Sequence, residues 1–157
     1  MPELYLRPIE EADLASFFEQ QQDPVAIHMA AFTSADPSDY AAFQAHWHNI
    51  MADDRIIKRS IIWDQNLIGH IAQFKQFGEP ELTYWLDRAY WGRGLASQAV
   101  QLLLNEIPTR PLFARVVQDN HGSLRVLTKA GFQIIGQDTG FAHGRDSDVA
   151  EYVLRLD

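Results

Sequence analysis

Apolar and polar positions change rhythm several times along the chain, and each rhythm predicts an element. Leu4 and Leu6 alternate with Tyr5 and Arg7 until Pro8 halts the pattern, the two-residue period of a short strand. Behind Asp13 the spacing lengthens, with Leu14, Phe17 and Phe18 recurring at helical intervals before Asp23 and Pro24 break the run. A short second helix is expected from Pro24 to Phe32. A third follows Ser38 or Asp39, either of which can cap it, with Tyr40, Phe43, Trp47 and Ile50 on its apolar stripe. From Arg55 to Lys75 β-branched residues gather around the turn-forming Asp64-Gln65-Asn66, which reads as a hairpin. Glu81 to Asp87 continues the strands, Leu95 to Ile107 is a helix stopped by Pro108, and Pro111 to Val117 is a further strand. Asn120 to Ala130 reads as a helix that Gly131 can end in the left-handed conformation, and Phe132 to Asp138 and Val149 to Leu156 supply the last two strands. The order predicts a mixed α/β sheet with helices on its faces.

Length and composition narrow this to one folded domain: 157 residues, 46% apolar and 22% charged, with no internal repeat. The chain contains no cysteine, which excludes a disulfide, a thiolate metal site and a cysteine nucleophile. The opening residues lack a basic segment followed by an apolar core, and no apolar run reaches the ~18 residues of a membrane span. Neither secretion nor membrane insertion is expected, and the expected setting is cytoplasmic. Acidic residues outnumber basic ones, 21 to 13, giving a net charge of −8 that repels nucleic acid and welcomes a cationic substrate. The same acidity also keeps a protein soluble. His46 and His48 point in different directions from one helix, so no metal site is expected.

The densest signal is the junction Gly92-Arg93-Gly94, set between an apolar strand and an apolar helix. A helix start leaves about four N–H groups without intrahelical partners and carries partial positive charge, which suits a phosphate. A dinucleotide fingerprint fails, because Ser97 stands where a third glycine belongs and no early βαβ unit surrounds it. A phosphate-binding P-loop fails because Leu95 and Ala96 replace its Lys-Ser/Thr pair. Two glycines can also simply turn a corner. The stretch resembles the pyrophosphate loop of the GNAT acyltransferases, Gln/Arg-x-x-Gly-x-Gly/Ala, with Gly92 and Gly94 in place, Ala89 a departure at the leading position, and Arg88 and Arg93 on either side. Asn120, Ser123, Gly131 and Phe132 resemble the second motif of that family, Asn-x-x-Ser and a helix closing in Gly-Phe. The opening Leu4 to Leu14 is similar to the branch that includes ribosomal-protein N-terminal acetyltransferases, so the likeness covers nearly the whole chain.

The resemblance implies the GNAT fold: a mixed, mostly antiparallel sheet, splayed between strand four (Glu81 to Asp87) and strand five (Leu112 to Val117), with helices on both faces. The gap would receive acetyl-CoA as cosubstrate, with no metal. Gly92, Arg93, Gly94, Leu95 and Ala96 would grip its diphosphate, and Asn120 would bind the pantetheine arm, cap its helix, or do both. A backbone N–H near Trp85 or Leu86 would meet the oxyanion of acyl transfer. Glu81 is the implied base, with Glu79 as rival, although either carboxylate can equally be a solvated strand-end residue. Ser123 is the implied acid, since that helix carries Leu127 and Thr128 and no tyrosine, although a serine at a helix start also satisfies backbone groups. The activity implied is direct acetyl transfer to a primary amine, either a protein N-terminus or a small molecule. The competing class is a non-catalytic acyl-CoA-binding module. Acceptor, acyl preference and oligomeric state, a homodimer included, are not written in the sequence.

Overall fold

The computed structural model describes residues 2–157, and its elements follow the rhythm of the sequence closely. Strand β1 (Leu4–Arg7) is followed by helices α1 (Asp13–Gln20), α2 (Pro24–Ala30) and α3 (Tyr40–Ala52). The Asp23 and Asp39 carboxylates accept the Val25 and Ala42 amides at 3.1 and 3.0 Å, capping α2 and α3. Strands β2 (Ile57–Trp63), β3 (Asn66–Gln76) and β4 (Glu79–Leu86) then run back and forth. Their two turns hold two residues each, Asp64-Gln65 and Phe77-Gly78, all at φ between 50° and 80°. Such turns match the twist of the strands they join. The second explains why strand four begins at Glu79, two residues before the expected start: pairing resumes at once with Gln76 opposite Glu79. After a short 3₁₀ turn come α4 (Leu95–Glu106), β5 (Leu112–Val117), α5 (His121–Lys129), β6 (Gln133–Ala142) and β7 (Ser147–Leu156). The last two strands are longer than their apolar patterns suggest, because backbone pairing continues to Ala142 opposite Ser147.

The seven strands form one sheet in the order β1-β2-β3-β4-β5-β7-β6, antiparallel except between β4 and β5. That parallel pair is bridged at Glu81 and Phe113, and from there the strands diverge, giving the splay expected between strands four and five. Helices cover both faces. Under α4 and α5 lies the main core, in which Ile61, Ile71, Val100, Leu103, Leu112 and Leu154 are fully buried. Each such side chain contributes roughly 1.5–3 kcal/mol of transfer free energy. Under α1 and α3 lies a second, aromatic cluster of Leu14, Phe17, Phe43 and Trp47.

Two polar groups enter this packing. Asp13, expected simply at a helix start, is 4% exposed and ties three elements together. Its carboxylate accepts from Arg7 at 2.7 and 2.9 Å, the Ser60 hydroxyl at 2.7 Å and the Glu10 amide at 2.8 Å. Burial alone would raise that carboxyl, but these hydrogen bonds hold it below its ordinary value. The half-buried His70 ring sits 4.7 Å from Phe17 and 4.8 Å from Trp47, and desolvation, with the nearby His46 second, lowers its pKa to about 3.

Candidate active site

The divergence of β4 from β5 opens a cleft of about 1150 Å³ that reaches from the start of α4 to the β6–β7 ladder. Successive side chains of β4 point to opposite faces of the sheet, so this one strand lines both halves. Tyr84 meets Ser123 of α5 on one face, whereas Trp85 stands opposite His70, whose ring touches α1 and α3.

At the α4 end, Gly92 and Gly94 take φ of 76° and 75°, the left-handed region that suits glycine. A Cβ built on either would meet nothing within 4 Å, so the glycines serve the path of the backbone and the space before them is clear of protein. No side chain caps α4. The helix ladder begins with the Gln98 amide on the Gly94 carbonyl at 3.2 Å, which leaves the amides ahead of it without intrahelical partners. The flanking cations are engaged elsewhere: Arg88 pairs with Asp23 at 2.6 Å, and the Arg93 guanidinium lies over Trp63 and Tyr90 at 5.7 and 5.6 Å. Two cations that the sequence reading missed, Arg125 and Lys129, line this half of the cleft from α5. Their spacing of four residues on the helix behind Asn120 was the available signal.

Midway along the gap, the Leu86 carbonyl accepts the Trp91 indole N–H at 2.8 Å, whereas the Asp87 amide turns to Ile68 on β3 at 2.7 Å. Backbone groups alternate along an antiparallel pair, so Tyr84 and Leu86 turn their amides to the gap and Trp85 turns its own to β3. The Trp85 indole nitrogen is buried without a partner among the described residues.

In the other half, Glu81 is 4% exposed and its carboxylate is held loosely, 3.3 and 3.4 Å from the Gln76 amide and 3.4 Å from Arg115 Nε. Burial raises its pKa, and Arg115 and Gln76 offset this only in part. Arg115 also donates to Asp138 at 2.7 Å and Glu151 at 2.9 Å, and its guanidinium lies 4.5 Å from the Phe77 ring centre. Three carboxylates thus surround one guanidinium. Glu79 is exposed and outside the cleft lining.

Asn120 has both amide ends in use, accepting the Ser123 amide and donating to the Met29 carbonyl, each at 3.3 Å. It therefore caps α5 and ties it to α2. The Ser123 and Tyr84 hydroxyls are 2.7 Å apart. The wall of the cleft carried by α2 is clamped by Arg145, which makes two 2.8 Å bonds to Asp119, and by the Gly144 amide, which donates to the Ala31 carbonyl at 2.8 Å. Ala31 forms a tight γ-turn at φ 64°, ψ −59°, with the Phe32 amide on the Ala30 carbonyl at 2.7 Å. Among the described residues no group of three or more metal-ligating side chains is assembled, and no helix is long and apolar enough to cross a membrane.

A sequence model of the family described as the acetyltransferase (GNAT) domain matches residues 3–133. The chain belongs to the GNAT family. This GNAT domain is 36% identical over 77 residues to the probable N-acetyltransferase YjcK of Bacillus subtilis (strain 168). The match covers 44% of the chain and 42% of that protein, so it spans less than half of the relative's length. Among solved structures, the GNAT domain resembles spermidine N-acetyltransferase from Vibrio cholerae in complex with CoA and spermine, with TM-score 0.79 at 17% identity over 97% of this chain and 95% of that one. It also resembles the microcin C7 self-immunity acetyltransferase MccE in complex with acetyl-CoA and AMP, with TM-score 0.80 at 14% identity over 98% and 92% of the two chains. At these identities the structural likeness establishes the GNAT fold.

Proposed function

We propose that this GNAT domain is an N-acetyltransferase that moves an acetyl group directly from acetyl-CoA to a primary amine, on a small molecule or a protein N-terminus. The observation that carries the reading is a sheet gap with an uncapped helix start at one end and a buried carboxylate at the other. The amides from Gly92 to Ala96 hold the diphosphate of the cosubstrate, and Arg125 and Lys129 supply the positive charge that Arg88 and Arg93 spend elsewhere. The backbone groups of Tyr84, which would otherwise face an open seam, pair with the amides of the pantetheine arm. The Leu86 N–H is the better oriented of the two oxyanion candidates, because Trp85 turns to β3.

The acceptor amine arrives as an ammonium, drawn by Asp138 and Glu151. Glu81 removes its proton, directly or through a water, and its raised pKa brings it closer to the pKa of ~8 to ~10 of an amine. The amine nitrogen then attacks the thioester carbonyl and sheds its second proton to solvent, the C–S bond breaks, and Ser123 gives the departing sulfur a proton that the serine then regains. The test is thiol release from acetyl-CoA across a panel of primary amines, with Glu81→Gln as control. Release that depends on both amine and Glu81 is the expected result. A thermal shift with acetyl-CoA but no release with any amine would instead make the domain an acyl-CoA-binding module.

A further inference from the structure

Tyr84 and Ser123 lie 39 residues apart in the chain, yet their hydroxyls meet at 2.7 Å, and acetyl transfer as described uses only the serine. Tyr84 shares its face of β4 with Leu82 and Leu86, and its ring packs against the main core. Both hydroxyls line the cleft between the glycine junction and the Glu81–Phe113 bridge that closes the gap. A cosubstrate held by its diphosphate at the junction carries its sulfur toward that closed end. Tyr84 is three residues from Glu81, ~10 Å along the strand.

We propose that Tyr84 is a positioning and proton-relay residue behind Ser123, the source from which the proton on the departing thiolate is drawn. As the C–S bond breaks, its electron pair stays on sulfur and takes the Ser123 Oγ proton. The Tyr84 phenol proton passes to Ser123 Oγ in the same step. The products are CoA thiol, an intact serine hydroxyl and a tyrosinate, which recovers a proton from water before the next turnover. The whole reaction, ammonium plus thioester to amide plus thiol, releases one proton to solvent and balances.

The relay has a thermodynamic reason. Serine acting alone would end as an alkoxide, a far stronger base than the thiolate it serves. A phenol is a far stronger acid than a serine hydroxyl and lies much nearer a thiol in acidity, so the relay leaves the negative charge on the least basic oxygen at hand. Burial raises the Tyr84 phenol while the Ser123 bond lowers it, and the phenol keeps its proton through the neutral range. The inference rests on the acetyl-transfer reading, and it supplies the tyrosine missing from α5 from a strand instead.

Tyr84→Phe keeps the ring in the core and removes only the hydroxyl. One measurement needs no acceptor: the thiol of CoA bound to the protein is titrated by thiolate absorbance. In the parent it should ionise below the ~8.5 of a free thiol, and in Tyr84→Phe it should move up by about 1 unit. An unchanged titration overturns the proposal. The second measurement is single-turnover transfer, which should fall ~10- to 30-fold, the loss shrinking for acyl donors with more acidic thiol leaving groups. A loss equal for all donors marks a packing role and also overturns it. Should Tyr84→Phe fail to fold, Ser123→Ala cuts the relay at its other member, and an unchanged thiol titration there is equally fatal. If the parent acetylates no amine, the acetyltransferase reading fails while the titration still decides the relay.

Discussion

On the α4–α5 side of the cleft, the groups that face the open space are main-chain amides, two hydroxyls and the cations Arg125 and Lys129. On the opposite side, Glu81, Asp138 and Glu151 crowd around Arg115. One strand serves both, because alternate residues of β4 point up and down. In a chain of net charge −8, the polyanionic cosubstrate of the proposed function would need a place where acidity is suspended, and backbone conformation at Gly92 and Gly94 offers one. An ammonium on the opposite side would need no such device, since acidic side chains suffice there. The two halves should therefore fail independently.

Gly94→Asp should separate them most sharply. A carboxylate in the phosphate's place should abolish the rise in melting temperature given by acetyl-CoA, worth ~2.7 kcal/mol at 100 times the dissociation constant. A full rise in a folded Gly94→Asp protein would dissolve the assignment of that half. Glu81→Gln should do the reverse, leaving the thermal shift intact while single-turnover transfer drops ~10²-fold. Because burial holds the Glu81 carboxyl above its usual range, the parent should lose activity as pH falls through that raised value. The variant should lack this acid limb and recover partly at high pH, where the amine sheds its proton unaided. Equal rates for both proteins from pH 6 to 9 would remove Glu81 from the mechanism.

Smaller changes should mirror one another. Arg125→Ala with Lys129→Ala should weaken acetyl-CoA binding ~5-fold at low salt and leave the acceptor KM alone, while Asp138→Asn should raise the KM of a cationic acceptor ~5-fold and leave acetyl-CoA binding alone. Crossed effects would mean that the halves are not separate. The mildest expectation concerns the aromatic cluster behind the acidic half. His70 is neutral in the fold down to about pH 3, whereas an unfolded histidine takes its proton near ~6.5. The unfolded chain therefore binds more protons between these values. The stability that neutral His70 contributes is whole above pH ~6.5 and is lost as pH falls toward 3. Between pH 7 and 5 the parent should lose about 2 kcal/mol more than His70→Gln, read from urea midpoints, and parallel curves would refute this.

Local chemistry explains what could be read before the fold was known. Periodicity and caps gave the helices, and the turn at Gly92 and Gly94 and the cap at Asn120 were legible because each depends on residues within one turn of it. Pairings across the sheet were invisible. Glu81 finds Arg115, Asp138 and Glu151 only when β4, β5, β6 and β7 come side by side, and no spacing along the chain encodes that meeting. Tyr84 meets Ser123 only when α5 folds against β4. Asp13 read as a helix-start residue, although burial beside Ser60 makes it a buried anchor. The full length of β6 was illegible for another reason: most of its side chains are exposed, so hydrogen bonding to β7 rather than apolar alternation defines where it ends.

The joint between Ala31 and Gly144 bears on how such a domain can diversify. A Cβ at Gly144 would fall 2.5 Å from the Ile27 carbonyl oxygen and 2.8 Å from that of Ala31. Ala31 in turn holds a positive φ with its methyl group fully buried. Neither position can drift alone, because each substitution displaces the backbone that the other requires. Met29 and Phe32, beside the joint, line the cleft without being locked in this way. Inheritance can therefore rewrite this wall of the cleft residue by residue while the joint that carries it changes only by coordinated steps.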